Sequence, residues 1–517
     1  MPDTATIDAL VRSRAATYAD KPVVIDPDTR LSYAGLDTSS RELAAVLVQA
    51  GVVKGTRVGL IMPNSVAWVR TAIAVTRIGA VLVPLSTLLT PSELRAQLRA
   101  AAVQVLIGVE EFRGHRYLDG LPNERSVDLP ALQQVWPTER LAAAAAEPGP
   151  VRVLDAMIES VTPSDPLVVM FTSGSSGPPK GVLHSHGSAL GAVASGLAAR
   201  CITADTRLYL PMPFFWVGGL GGGVLSALLA GATLVTEEIP RPQTTLSLLE
   251  SERVTLFRGW PDQAQELARH AGSADLSALR PGSLEALLPA ALRSEPGARA
   301  NLFGMTESFG PYCGYPADTD LPAAARGSCG KPFAGMEVRI VDPDTGLPVA
   351  AGTAGEIQLR GPHTLRGICG HSREDIFTVD GYYRTGDLGR LDDDGFLFYH
   401  GRSDDMFKVS GATVYPSEVE RALRAIDGVT AAFVASVPEG DRFQVGAAVC
   451  GDGLTVEWLR EQARTLLSAF KVPTVWLLVA GPDAVPRGPT GKVDKRRLRE
   501  LLTAVSASDP VNQGAGP

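Results

Sequence analysis

From Met170 to His186 the chain reads MFTSGSSGPPKGVLHSH. The apolar run Leu167 to Phe171 predicts a buried strand. It breaks into Thr172, Ser173, Gly174, Ser175, Ser176 and Gly177, crosses two prolines and reaches Lys180 and Gly181. Gly174 and Gly177 allow the positive φ that turns successive backbone N–H groups into one hollow. The hydroxyls add donors around it, and Lys180 adds a point charge suited to phosphate oxygens. Such a loop fits a triphosphate, but the GxxxxGK[ST] spacing of a Walker loop is absent. Taken alone, a Ser/Gly loop is equally compatible with a flexible surface linker.

With 517 residues the chain is too long for one core, so two or more domains are expected. Hydrophobic residues at 45% and charged ones at 20% give an ordinary globular balance. The net charge of −8 argues against a nucleic-acid binder, which would present a basic face, but leaves room for ATP beside a local Lys/Arg cluster. The polar, helix-like start MPDTATIDALVRSRAATYAD carries no secretory signal. The longest apolar stretch, Gly219 to Val235, is broken by glycines and too short to span a bilayer. Five scattered cysteines, Cys201, Cys313, Cys329, Cys369 and Cys450, match neither a disulfide framework nor zinc spacing; free thiols in a reducing cytoplasm are expected.

Helix and strand patterns alternate from the N-terminus, which predicts α/β architecture with parallel sheets covered by helices. Val66, Val69 and Ile73 form a helical stripe, and Ala80 to Leu85 reads as a strand. Thr90-Pro91-Ser92-Glu93 reads as a capping box with proline at the first helical position. Ala142 to Pro150 is low in complexity and reads as a surface connection. The character changes after Asp404. Val419, Ala422, Leu423 and Ile426 form a helical face closed by Gly428. Val429 to Val437, Val445 to Cys450 and Thr474 to Ala480 read as strands, and Leu459, Ala463, Leu466, Leu467 and Phe470 as a helical stripe. We therefore expect a large N-terminal domain, residues 1–403, and a small α+β C-terminal domain, residues 404–517, with a disordered Gly/Pro/Ser-rich tail from residue 506.

Further motifs follow in order: Asn301-Leu302-Phe303-Gly304-Met305-Thr306-Glu307; Gly381-Tyr382-Tyr383-Arg384-Thr385-Gly386-Asp387-Leu388; Gly401-Arg402-Ser403-Asp404-Asp405-Met406-Phe407-Lys408; and Pro489-Thr490-Gly491-Lys492. Together with the Ser/Gly loop they make the chain, from about Leu31 to Leu498, resemble the adenylate-forming superfamily: acyl-CoA synthetases, peptide-synthetase adenylation domains and firefly-type luciferases. It is most like an acyl-CoA synthetase. The resemblance implies an ATP- and Mg2+-dependent activation of a carboxylic acid to acyl-AMP, then transfer to coenzyme A, with a mobile C-terminal domain.

It also assigns roles. Thr172 to Lys180 would hold the β- and γ-phosphates. Glu307 is the candidate magnesium ligand, a hard oxygen donor suited to that ion, and Thr306 would donate to the α-phosphate. Phe303, with Gly304, resembles the aromatic-glycine pair against adenine. Asp387 would take two ribose hydroxyls, supported by Arg402. Lys492 would be the mobile cation of the first half-reaction and Asp404 the hinge. Lys408 and Gly411 would face the thiol's pantetheine arm. Read singly, Phe303 would be a core residue, Glu307 a surface acid and Asp387 a turn aspartate.

For the acyl pocket the resemblance points to Phe215, Trp216 and Gly218 within Pro213-Phe214-Phe215-Trp216-Val217-Gly218-Gly219, where the family often has histidine at Trp216. The family's small-residue turn ahead of the aromatic-glycine motif is replaced by Pro281-Gly282-Ser283-Leu284-Glu285, and the segment to Phe303 is short. No counterpart of an amino-group-binding aspartate is found, so an apolar acid is expected: fatty, aromatic or alicyclic. Two other readings stay open: an adenylating enzyme that loads a separate carrier protein, and a non-catalytic acyl-nucleotide binder. No carrier domain is read at the C-terminal end. The oligomeric state is not fixed, a homodimer being compatible with the sequence.

Overall fold

The computed structural model describes residues 6–122, 126–144, 151–172, 180–403, 405, 407–409, 412–440, 442–488 and 493–508. Two helix-covered sheets dominate the first 270 residues. One has seven strands, in the order Gly367–Ile368, Lys180–Ser185, Pro166–Thr172, Val81–Pro84, Arg57–Ile61, Val105–Gly108 and Gln134–Pro137. Its strands from Pro166–Thr172 to Gln134–Pro137 run parallel, and Lys180–Ser185 returns antiparallel to its neighbours on both sides. The other has five strands, in the order Leu256–Phe257, Arg207–Tyr209, Thr233–Val235, Pro22–Ile25 and Arg30–Ser32, and is parallel except for its last pair.

One apolar core joins these sheets. Val58, Leu60, Leu82 and Val168 of the first and Val24, Leu208, Leu234 and Leu256 of the second meet Trp68, Ile73 and Leu228 from the covering helices. Continuous Val/Leu/Ile runs are what strands buried on both faces require. Helix Val66–Arg77 starts on Ser65, whose side chain accepts from Trp68 N–H, and buries Val66, Val69 and Ile73 as expected. Helix Pro91–Ala100 carries the expected capping box, Thr90 with Glu93 and Pro91 at its start.

A three-stranded sheet (Phe303–Met305, Gly310–Gly314, Lys331–Pro332) and an antiparallel four-stranded sheet (Glu337–Val341, Gly355–Arg360, Tyr383–Leu391, Leu397–Arg402) follow. Beyond them, strands Val429–Glu439, Arg442–Gly451 and Val475–Val479 pack against helices Pro416–Arg424, Val456–Leu466 and Lys495–Ser508. The two apolar clusters of this part draw only on residues from Phe407 onward.

Three local expectations are corrected. Helix Thr138–Ala144 extends into the stretch read as a connection, whose residues 145–150 lie outside the described part. Leu466 ends helix Val456–Leu466 half exposed and Leu467 lies beyond it, because that helix buries only Leu459 and Ala463. The tail read as disordered from residue 506 continues as helix to Ser508, since Leu498 and Leu502 anchor the helix in the core with Val505 packed against it. Among the described residues, no helix is long and apolar enough to cross a membrane.

Candidate active site

Thr172 and Lys180 face each other as paired residues of neighbouring antiparallel strands. Ser173, Gly174, Ser175, Ser176 and Gly177 lie outside the described residues. The strand that starts at Lys180 delivers a contact absent from the sequence reading. His184, fully buried, sets its Nε2 2.8 Å from the Thr306 carbonyl oxygen. Burial lowers the His184 pKa to about 4, so the ring is neutral and Nε2–H donates. Nδ1 has no partner among the described residues.

Thr306–Ser308 is a single 3₁₀ turn after strand Phe303–Met305. The strand hugs its neighbour so closely that a Cβ on Gly304 would run into the Gly310 carbonyl. Glycine is therefore required by close approach, not by φ. The turn tucks Glu307 inward. It is buried, not the surface acid its type alone suggests, and Tyr383 Oη donates to its Oε1 at 3.1 Å. Burial, first, and the neighbouring Glu307 hold the Tyr383 phenol protonated by raising its pKa.

Tyr383 opens strand Tyr383–Leu391, which also carries Asp387. Against the neighbouring strand the register slips between Glu356 and Gln358, and Gly386 sits at φ +69 with a Cβ position 2.9 Å from Arg402 Nη2. A bulge of this kind re-aims a side chain. Asp387 is buried, its N–H bonded to Thr385 Oγ1 at 2.9 Å and its Oδ1 accepting from Arg402 Nη1 at 3.3 Å. Asp387 and Arg402 are also cross-strand partners. On Arg402's strand, Tyr399 packs its ring 4.5 Å from Phe303, and Phe303 meets Tyr312 at 5.6 Å. The Tyr312 hydroxyl is buried with no partner among the described residues. Contacts and shared strands thus link these residues: His184 to Thr306, Glu307 to Tyr383, Tyr383 along its strand to Asp387, Asp387 to Arg402, and Tyr399 on Arg402's strand to Phe303. His184, Tyr383 and Tyr399 are the members of this set that the sequence did not single out.

The acyl-side residues join this set through Phe309. Its ring lies 5.0 Å from His184, and a Cβ on Gly221 would stand 3.3 Å from it. Gly221 belongs to a π-helical segment, Leu220–Leu225, directly after Trp216 and Gly218; such segments recur at functional sites. Phe215 is buried and Trp216 partly exposed, their rings 5.8 Å apart. Trp216 also meets Trp260 edge to face at 5.9 Å, a partner the sequence did not suggest. Gly218 abuts Met212. Asn64 braces this loop from outside, donating to the Met212 carbonyl and accepting from Phe214 N–H at 2.8 Å.

Lys492, Gly411 and Asp404 lie outside the described residues. Lys408 is on strand Phe407–Val409, but its side chain lies outside them too. For magnesium, Glu307 offers one carboxylate, and no group of three candidate ligands occurs among the described residues. A lone buried carboxylate fits an ion that keeps its waters and takes its other oxygens from a substrate's phosphates. An open cavity of about 470 Å³ between Pro281 and Arg326, lined by arginines and acids, contains none of these residues.

Residues 11–369 match the family described as AMP-binding enzyme. The chain is 34% identical over 96% of its length to a propanoyl:CoA ligase of Mycobacterium tuberculosis, itself covered over 98%, whose acyl group bears a 7a-methyl-1,5-dioxo-octahydro-1H-inden-4-yl ring system. It is 34% identical over 91% of its length to a feruloyl-CoA synthase of an Amycolatopsis species, covered over 94%. Among solved structures, an anthranilate CoA ligase in complex with anthranoyl-AMP superposes with a TM-score of 0.81 at 24% identity, covering 98% of this chain and 99% of that one.

Proposed function

The chain belongs to the AMP-binding enzyme family, and on that premise we propose that it joins an apolar carboxylic acid to coenzyme A through an acyl-adenylate. It is an AMP-forming acid–thiol ligase of the adenylate-forming superfamily. The observation that supports the reading is the convergence of Thr306, Glu307, Asp387, Arg402 and Phe303 through the pairs Tyr383–Glu307, Arg402–Asp387 and Tyr399–Phe303 on shared strands.

In the first half-reaction the acid's carboxylate oxygen attacks the α-phosphorus of ATP in line and pyrophosphate leaves. Thr306 is the donor to the α-phosphate, its peptide fixed by His184. Donors held in place before charge develops are what lower such a barrier. Asp387 receives the ribose hydroxyls, with Arg402 holding its carboxylate in position. Phe303, backed by Tyr399 and Tyr312, gives adenine an apolar face. The loop from Thr172 to Lys180 holds the outer phosphates. Magnesium, when bound, would offset charge on the triphosphate, with Glu307 as its protein ligand. Lys492 is the cation that meets the α-phosphate and acyl oxygen.

In the second half-reaction the thiol sulfur attacks the acyl carbon and AMP leaves with the bonding pair. We assign residues 404–517 to a separate domain that turns about Asp404 between the two steps, withdrawing Lys492 and bringing Lys408 and Gly411 to the thiol. The segregation of the two apolar clusters beyond Phe407 supports that boundary. The reducing cytoplasm is the compartment that suits five free cysteines. The test is a panel of fatty, aromatic and alicyclic acids, read as AMP release that requires ATP, magnesium and CoA, with product masses. AMP release without CoA thioester in every case would refute the assignment.

A further inference from the structure

Arg200, buried, and Arg258, partly exposed with a buried Nε, bring two guanidinium groups together at the end of the five-stranded sheet. Arg200 is 6% exposed. Its donors all go to neutral acceptors: Nε to the Gly196 carbonyl at 3.1 Å, Nη2 to the Val193 carbonyl at 2.7 Å, Nη1 to Ser226 Oγ at 2.9 Å. Arg258 gives Nη2 to the Arg200 carbonyl at 3.1 Å, and its buried Nε has no partner. Neither makes an ion pair among the described residues; Asp318 reaches Arg258 only through its field. Burial lowers both pKa values, that of Arg200 to about 10. Two adjoining cations with no carboxylate in ion-pair contact among the described residues are costly to bury.

Their placement says what could offset that cost. On strand Leu256–Phe257, Leu256 faces the core between the two sheets and Phe257 the opposite cluster. Arg258 directly follows that strand and still pairs with the next one, its N–H donating to the Tyr209 carbonyl at 3.0 Å, so continued alternation puts it on the side of Leu256. Two residues later Trp260 meets Trp216. Arg200 lies under the π-helical segment that follows Trp216: Ser226, which it binds, donates to the Gly221 carbonyl, and a Cβ on Gly222 would stand 3.9 Å from Arg200 Nη1. Both cations therefore lie beside the segments that carry Trp216 and Trp260, Arg200 against the π-helical segment and Arg258 two residues before Trp260.

We propose that Arg258, backed by Arg200, recognises an oxygen function (a ketone or a second carboxylate) at the far end of an otherwise apolar acid. This rests on the ligase reading above and sharpens its substrate class. A site built to satisfy an oxygen rejects the analogue that lacks it, because the buried donor is then left unpaired.

The test compares matched acids: 3-cyclohexylpropanoate with 3-(4-oxocyclohexyl)propanoate, and decanoate with decanedioate. The full-length protein should favour the oxygenated member of at least one pair in kcat/KM by roughly 10- to 100-fold; which pair responds separates ketone from carboxylate recognition. Arg258→Met should bring that ratio to about one while leaving the KM for ATP and the melting temperature unmoved, and Arg258→Lys should keep part of it. Thermal shift with each acid, without ATP or CoA, gives the same ratio as binding. No preference in the wild type, or one unchanged in Arg258→Met, overturns the proposal. A binding preference that depends on Arg258 in a protein without thioester formation would support this site and count against the ligase reading.

Discussion

The residues we assign to the nucleotide and those we assign to the acid are held in opposite ways. Around Asp387 and Glu307 the protein's polar groups meet one another: Tyr383 with Glu307, Arg402 with Asp387, His184 with the Thr306 carbonyl. Around Trp216 the contacts are aromatic, the helix is a π-segment with three consecutive glycines, and a guanidinium stands without a counter-ion among the described residues. A largely satisfied polar network, in which only His184 Nδ1 and the Tyr312 hydroxyl lack a partner among the described residues, is stiff. A wall of rings and glycines can be reshaped one residue at a time without disturbing that network. On the proposed assignment, the difference teaches that one site can hold ATP by a polar network and the acid by an aromatic wall, so that the second can be altered with the first kept.

The sharpest way to break that separation is Lys492→Ala. It should cut adenylation by roughly 10²- to 10³-fold for every acid alike, measured as pyrophosphate exchange, while thioester formation from supplied acyl-AMP falls far less. Loss that depended on the acid would tie Lys492 to the acyl side instead. Next comes Glu307→Gln, which keeps an acceptor for Tyr383 but removes the charge. Adenylation should fall about 10- to 100-fold, with the magnesium titration shifted to higher concentration; an unmoved titration would take Glu307 out of the metal site.

A third probe asks how stiff the nucleotide side is. Burial holds His184 and His186 at about 4, below the usual 6.5. Between those values the unfolded chain takes up protons that the folded chain refuses. The stability given by the neutral rings is therefore complete above pH 6.5 and is lost as pH falls towards 4, at roughly 1.4 kcal/mol per pH unit for each ring. Denaturant midpoints across that window should slope accordingly, and His184→Gln should flatten the slope. An identical slope in the variant would mean that His184 titrates normally. The smallest effect is expected at Trp260→Ala. Selectivity between bulky and slender acids should shift roughly threefold, about the value of one aromatic pair, with ATP binding unchanged. A changed KM for ATP would show that the two sides are coupled.

How much of this was legible depends on how far apart the partners lie. The capping box at Thr90, the strand ending at Thr172 and the Phe303–Glu307 motif were readable because each is one contiguous segment. His184 lies inside the most informative stretch of the chain and gave no signal, since its partner is 122 residues away. The same holds for Tyr383 and Glu307, 76 residues apart. Glu307, an exposed acid by residue type, is buried because the 3₁₀ turn and the strand of Tyr383 converge on it.

The sequence by itself determined the alternating helices and strands, the order of the motifs and hence the chemistry expected of them. The alternation rests on local periodicity, and the chemistry on what the resemblance of the ordered motifs implies. Tertiary structure alone decided which polar groups are already satisfied and which are left waiting. The bulge at Gly386 turns Asp387 to Arg402, and the fold leaves the buried Nε of Arg258 without a partner among the described residues. The physical reason is that the cost of a buried charge is set by what surrounds it, and those surroundings come from segments that only the fold brings together.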